Sequence, residues 1–494
     1  MNRAYDCIVV GAGIGGLTCA AFLARHGKRV LVVEQHAIPG GCCTSFSRGD
    51  FVFESGVEWI DGFDKGIVKE VLEGFGIQDA VLFTEIDPML VTVFPDHTVV
   101  YPQDYLDQGA ALREMFPEEA RNIEAFFRGF EKVNAQTQTL PEPGGLWSVV
   151  RTLLWHRSVI SYLRKTYASL LDRYFTDPKL KAVLSGYCGM FGIPSSRLSA
   201  IALTTILGAP EAAGHVDGGM QKLADALADV IRGDGGEVVL KRKVTKIAAD
   251  SGRVKGVVLD DGEELEADVV VANVDAQQVF ADLLPDDAPV RRVADKIAQW
   301  DRSPTGFKVF LGVDMPLQPP ENSGSVLYFP SYDVDGLVVN GPENPLAEDG
   351  CVLVFMPSLR DKALAPDGMH GVSLVVLGDY YDTVKDMDRE QYEAFKEQLA
   401  DVCIARAENV LPGLSSHIVV RDVATPLTVE RYTLNSRGAF YGWNMTPESL
   451  CRSLAQETCV EGLYLVGHWT YPGGGVPTVM ISGKRAAHMI LGKR

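Results

Sequence analysis

The chain has 494 residues, more than one ordinary hydrophobic core takes up, so two or three domains are expected. A hydrophobic content of 46% with 22% charged residues is that of a soluble globular protein. The net charge of −19 leaves no general basic surface to meet phosphates and excludes a nucleic-acid partner. The nine cysteines lack Cys-x-x-Cys spacing, so neither a metal site nor a disulfide framework is indicated, and reduced thiols point to a cytoplasmic protein. Residues 7–24 carry no charge, but their glycine-rich middle separates two different periods, so they read as strand plus helix rather than a membrane span.

In chain order, residues 5–10 form a compact apolar run suited to a central parallel strand. Gly11, Gly13, Gly15 and Gly16 follow, then a helix over about 17–26, then a strand over 29–33 that ends at Glu34. Strand, glycine turn, helix, strand and acid in this order make a dinucleotide-binding fingerprint. Gly11 permits the turn, Gly13 lets backbone approach a diphosphate, and Gly16 lets helix and strand pack closely; Glu34 would accept hydrogen bonds from ribose hydroxyls.

Residues 85–210 show helical patterning, and within them 146–173 pair apolar residues at helical spacing with Arg151, Arg157, Arg164, Lys165 and Arg173 against one acid, Asp172. Cations beside Trp147, Trp155, Tyr162 and Tyr167 suit an interfacial membrane helix. Residues 235–273 read as a string of strands with turns at 250–252 and 260–262, the last strand returning at 268–272. Three alternating segments between 290 and 430 read as a sheet, with a long helix over 389–411 across one face. Finally a short strand over 462–466 leads into GHWTYPGGGVP (467–477) and a closing helix, a loop whose consecutive glycines imply close approach to bare backbone.

The fingerprint, the middle strands and the C-terminal glycine loop occur in the order of the phytoene desaturase, carotenoid isomerase and retinol saturase family of FAD enzymes, which this chain resembles over nearly its full length. The likeness includes GGCCTSFSRGDFVFESGVEW (40–59), HVDGGMQKLADAL (215–227), APDG (365–368), LPGLSS (411–416) and TPLTVERYT (425–433). The last three resemble the isomerase and saturase branch. Two departures stand out: Cys42 follows Gly41 where desaturases and amine oxidases usually place an arginine, and His468 follows Gly467 where many relatives have aspartate.

The resemblance implies an α/β fold: a split Rossmann-type FAD-binding domain (1–84, 211–285 and 431–494), a helical lid that contacts membranes (85–210), and an inserted sheet-plus-helix substrate domain (286–430). It implies non-covalent FAD held by Gly11, Gly13, Gly15, Gly16, Glu34, Gly41, Cys42, Val244, Gly467, His468, Gly474, Gly475 and Val476. The ring would lie on residues 473–475, so that a side chain at Gly474 would strike it. The helix from Val476 would aim its N–H groups at the flavin N1 and O2 edge, where reduced flavin is negative. Glu58 and Tyr432 are the catalytic candidates, and Trp59, Glu430 and Tyr441 line the cavity. The implied function is isomerisation or saturation of C=C bonds in a polyene or isoprenoid lipid, with desaturation as the alternative. The Rab escort and GDP-dissociation inhibitor proteins share the architecture without chemistry, and amine oxidases form a third class.

Overall fold

The computed structural model describes residues 5–102, 105–137, 139, 156–208, 212–340, 344–450 and 452–492. Setting single-turn helices aside, the chain begins with β1 (Tyr5–Val10), α1 (Ile14–Arg25) and β2 (Val30–Val33). A hairpin of β3 (Ser45–Arg48) and β4 (Phe51–Glu54) leads to β5 (Ile60–Asp61), α2 (Ile67–Phe75) and β6 (Phe83–Glu85), then to a second hairpin of β7 (Leu90–Val93) and β8 (Thr98–Tyr101). Six helices follow among the described residues: α3 (Tyr105–Met115), α4 (Ala120–Thr137), α5 (Arg157–Leu163), α6 (Tyr167–Tyr174), α7 (Pro178–Ser185) and α8 (Ala200–Leu207). Next come β9 (Ala213–Val216), α9 (Gln221–Gly233), β10 (Glu237–Val239), β11 (Val244–Asp250), β12 (Arg253–Leu259), β13 (Glu264–Ala272) and α10 (Ala288–Ala298). The last part holds β14 (Thr305–Val313), β15 (Ser325–Tyr328), α11 (Val334–Asn340), β16 (Val352–Phe355), β17 (His370–Gly378), α12 (Arg389–Ala407), β18 (Ile418–Ala424), α13 (Pro426–Thr433), β19 (Leu463–Leu465) and α14 (Val476–Ile490).

The first sheet has the order β10-β2-β1-β13-β12-β11, with β19 pairing the last residues of β13 on the side away from β1. Its inner strands are parallel, Cys7 facing Val30 on β2 and Val269 on β13, while β11 and β12 fold back antiparallel. Parallel strands are buried on both faces, which is why β1 and β2 are nearly continuous apolar runs. One face packs on α1, α9 and α14. The other is covered by β11, β12 and the stretch around Trp300.

The second sheet has the order β18-β14-β17-β16-β15-β7-β8 and is antiparallel except where β15 meets β7. Side chains alternate along β14 as a strand requires. Phe307, Val309 and Leu311 pack with Phe395, Leu399 and Cys403 of α12. Phe310 turns the other way, onto Phe51 and Phe53. Farther along the sheet, Leu327, Leu353, Phe355 and Val375 pack against the helices between α3 and α8.

Two expectations change. Residues 90–101, inside the stretch read as helical, are the β7–β8 hairpin of the second sheet. Of the membrane-helix stretch, residues 146–155 lie outside the described residues, and 156–173 are not one continuous helix. They form α5 and α6, broken where the Thr166 hydroxyl accepts the Ser169 N–H at 3.3 Å as an N-cap. Tyr162, Tyr167, Leu170 and Leu171 are buried, whereas Arg157, Arg164 and Arg173 are exposed. No helix among the described residues is long and apolar enough to cross a membrane.

Candidate cofactor cradle and active site

Parallel strands of the first sheet bring their carboxyl ends together: β1 to Gly11, β2 to Glu34, β13 to Asn273 and β19, through Val466, to Gly467. In open α/β sheets this edge is where ligands bind. The floor is bare backbone at touching distance. A Cβ on Gly16 would lie 2.5 Å from the Gly11 carbonyl oxygen, and one on Gly15 would lie 3.0 Å from the Gly467 nitrogen. Asn273 locks these turns together. Its main-chain N–H donates to Val10 at 2.8 Å and its side-chain amide donates to the Gly11 carbonyl at 3.2 Å.

Glu34 is buried, one carboxylate oxygen accepting the Ala12 N–H at 2.7 Å and the other the His36 N–H at 2.8 Å. Each oxygen keeps acceptor capacity for a further donor. Gly13 at the start of α1 and Gly475 at the start of α14 supply no side-chain cap, so both helices present free first-turn N–H groups. The Gly40–Gly41 turn closes over α1: the Gly40 N–H donates to the Ala12 carbonyl at 2.7 Å, and a Cβ on Gly41 would lie 3.2 Å from the Gly13 Cα. A side-chain-free floor, an acid at the end of β2 and two uncapped helix N-termini fit a dinucleotide with a diphosphate and an electron-rich ring edge.

Against this cradle stands an apolar wall. Tyr441 joins the two, its backbone under Gly474, its hydroxyl donating to the Met190 carbonyl at 3.1 Å and its ring 6.0 Å from Phe191. Trp59 sits 5.7 Å from Phe355, and Trp59, Phe191, Leu377 and Met445 are only half-buried although they pack on the interior cluster.

Residues 14–491 match the family model of flavin containing amine oxidoreductases. The chain belongs to that family. It is 29% identical to a prolycopene isomerase, chloroplastic, of Arabidopsis thaliana over 98% of this chain and 82% of that one. It is 30% identical to a phytoene desaturase (neurosporene-forming) of Rhodobacter capsulatus, over 99% and 94% respectively. Among solved structures, cyclohexylamine oxidase from Brevibacterium oxydans superposes with a TM-score of 0.64 at 16% identity, covering 98% of both chains, which shows the shared fold.

This flavin oxidoreductase departs from expectation at several named residues. Tyr432 is 52% exposed on α13 with its ring 5.4 Å from His36, so it faces the outer end of β2 and not the apolar wall. Glu430 is committed: one oxygen accepts the Tyr381 hydroxyl at 2.9 Å and the other the Arg437 N–H at 3.0 Å, which makes it an anchor for the Arg437 turn. A Cβ on Gly474 would meet the Tyr441 carbonyl oxygen at 2.8 Å, so backbone, and not a bound ring, forbids a side chain there. Gly473, at φ +124°, has open space in the corresponding direction.

The other named residues fall as follows. Val244 is buried at the start of β11, opposite Leu259, two residues after the Arg242 N–H donates to the Glu34 carbonyl at 2.9 Å. Cys42 is half-buried, and burial pushes its thiol up to about 11, which keeps it protonated at neutral pH. Burial pulls His468 down to about 4, so its ring is neutral. Asn435 fixes the tautomer: its carbonyl oxygen accepts Trp469 Nε1–H at 3.0 Å and lies 3.2 Å from His468 Nε2, which is therefore the protonated nitrogen. Val476 is buried in the first turn of α14.

Glu58, the other catalytic candidate, is paired with a residue far from it in the sequence. Glu58 Oε1 accepts a hydrogen bond from Lys308 Nζ, with side chains 7% and 8% exposed. Lys308 also donates to the Glu54 carbonyl oxygen at 2.7 Å. Burial raises the Glu58 pKa, and the Lys308 charge only partly opposes it. The signal was present in TGFKVFLGV, a strand with every residue buried and a lysine in it. No group of residues that could hold a metal ion is found among the described residues.

Proposed function

We propose that the chain binds FAD non-covalently and isomerises or saturates C=C bonds of a polyisoprenoid lipid of the carotenoid or retinoid kind. The observation that carries this reading is Tyr441, whose backbone packs on the glycine loop while its ring and hydroxyl join the half-buried apolar wall. A long conjugated chain along Trp59, Phe191, Leu377 and Met445 would meet the cofactor edge-on without any polar recognition. The full-length likeness to a prolycopene isomerase supports the substrate class.

Gly11, Gly13, Gly15 and Gly16 with the α1 N-terminus would take the diphosphate, Glu34 a ribose, and Gly41, Cys42, Gly467 and His468 the middle of the cofactor. Gly473, Gly474, Gly475 and Val476 would take the ring edge. Bound FAD supplies hydride exchange at N5. The chain's own residues hold and exclude. The neutral Cys42 thiol and neutral His468 bring no charge of their own to the cradle, and Glu58, next to Trp59 in the chain, is an acid whose pKa burial raises. Denatured holoprotein should release a yellow compound with the mass of FAD. Anaerobic mixing of photoreduced enzyme with a polyene panel should yield geometric isomers or dihydro products by chromatography. Products of longer conjugation from the oxidised enzyme would instead mark the desaturase alternative suggested by the phytoene desaturase relative. A colourless protein that cannot be reconstituted defeats the proposal and leaves the lipid-escort class.

Delivery of such a lipid favours a peripheral membrane contact through residues 146–173, whose exposed Arg157 and Arg164 lie on α5 and at its end. The protein should then co-sediment with anionic vesicles despite its net charge. Replacing Arg157, Arg164 and Lys165 by Glu should abolish the association, because each cation near the surface contributes about 1 kcal/mol. Sedimentation unchanged by the triple substitution would place the contact elsewhere.

A further inference from the structure

Four segments from separate parts of the chain bury a set of ionisable side chains against one another. Glu54 ends β4 and Glu58 follows it; His215 lies on β9; Lys308 lies on β14; Asp361 follows β16. Glu54 is satisfied: it accepts the Ser45 hydroxyl at 2.8 Å and the Met220 N–H at 3.1 Å. Asp361 accepts the Ala363 N–H at 3.0 Å and the Gly218 N–H, and it borders the exposed Lys362 and Ala363 at the rim. His215 sits between them, Nε2 3.3 Å from Glu54 Oε1 and Nδ1 4.0 Å from Asp361 Oδ2.

Yet three atoms of this cluster are buried without a hydrogen-bond partner among the described residues: Glu58 Oε2, His215 Nδ1 and His215 Nε2. The Nε2 separation is short enough for a bond, but the group is not aligned for one. Each orphaned atom of this kind costs about 1–3 kcal/mol, and proteins relieve that cost with internal water that makes two to four hydrogen bonds. The charge count points the same way. Lys308 and a protonated His215 balance two of the three carboxylates, so burial favours a proton on the third. Burial works against a charged His215 ring, but the Glu54, Glu58 and Asp361 carboxylates outweigh it and raise its pKa. Glu58 is the acid that burial pushes up.

We infer that Glu58, His215 and Asp361 form a water-bridged proton relay from the half-buried apolar wall at Trp59 to the protein rim, with Lys308 holding Glu58 in position. This rests on the proposed C=C chemistry for its use. When a C=C bond is saturated, a hydride and its electron pair come from the reduced flavin and one proton is added at the neighbouring carbon. The Glu58 O–H bond breaks as that C–H bond forms. His215 then returns a proton to Glu58 through water and is itself reloaded past Asp361 from solvent. One proton enters per turnover and the relay carries no electrons.

The test reads the relay without any polyene. Infrared spectra of the FAD-loaded protein should show the carbonyl stretch of a buried neutral carboxyl group at neutral pH, absent in Glu58→Gln. On transfer to D2O the wild-type band should shift at once. In His215→Gln and Asp361→Asn the band should remain while its exchange slows about a hundredfold, the lower end of what a positioned acid–base group contributes to proton transfer. Asp361→Asn keeps the oxygen that caps Ala363, so it covers the case in which His215→Gln does not fold. Wild-type exchange in the folded variants, or no Glu58 carboxyl band, overturns the relay. An intact relay in a protein inert toward every polyene would instead defeat only the proposed substrate class.

Discussion

Lys308→Met is expected to cost about 1–3 kcal/mol of folding stability, because it leaves Glu58 Oε1 and the Glu54 carbonyl oxygen buried without their shared donor. Both members of the pair are more than nine-tenths buried, and the lysine ammonium bridges Glu58 to the Glu54 carbonyl, tying the segment after β4 to the second sheet. Methionine matches the lysine stem in length, so packing against Phe310 should survive and the loss should be that of the ammonium's hydrogen bonds. Glu58→Leu in the Lys308→Met background should recover part of the stability, since an apolar side chain leaves no buried carboxyl unpaired. The exposed pair Arg291–Asp286 is the control: Arg291→Ala should leave the denaturation midpoint where it is. Chemical denaturation of the four proteins with FAD bound decides the matter. A Lys308→Met midpoint equal to wild type would mean that the pair is solvated, and the relay would lose its anchor with it.

The cradle was legible because its signals are local. Glycines at fixed spacing after a strand, an acid at the end of the next strand, and a glycine loop ahead of the last helix each declare a backbone that must lie bare. What the chain hides is partnership at long range. Lys308 and Glu58 are far apart in sequence, and only the pairing of β14 with its neighbours aims the lysine at the acid. Asn273 looks like the ordinary end of a strand until β13 is seen beside β1, where its amide braces the Gly11 turn. Tyr432 and Glu430 sit in a motif that reads as functional, but helical spacing does not say which face of α13 meets the apolar wall. Their side chains go to His36 and to Tyr381. The stretch 156–173 carried a convincing helical period, yet Thr166 prefers to cap a new helix, and that local bond divides it.

Gly483→Ala is expected to weaken both folding and cofactor retention, because at this residue two helices meet backbone to backbone. A Cβ on Gly483 of α14 would run into the Gly15 carbonyl oxygen of α1 and lie 3.0 Å from the Cys19 nitrogen and 3.2 Å from Thr18 Cβ. None of the nearest atoms is the end of a flexible side chain, so the helices themselves must part. The cradle hangs on the same crossing: Gly15 also touches Gly467, and Ser482 accepts the Gly467 N–H at 2.9 Å. Overpacking of this kind costs about 1–3 kcal/mol in stability. Separation of α1 from α14 also moves the two uncapped N-termini apart, and if about 1.4 kcal/mol of that strain is felt in the bound state, FAD should dissociate about tenfold more readily. Gly74→Ala in α2 is the matched control, with nothing within 4 Å of its Cβ. It should stabilise the fold by roughly 0.5–1 kcal/mol through the lower chain entropy of alanine and leave FAD untouched. Equilibrium dialysis of released flavin and thermal melts of both variants separate the outcomes. If Gly483→Ala melts lower but holds FAD at wild-type affinity, the two helix N-termini do not share one ligand, and the diphosphate rests on α1 alone.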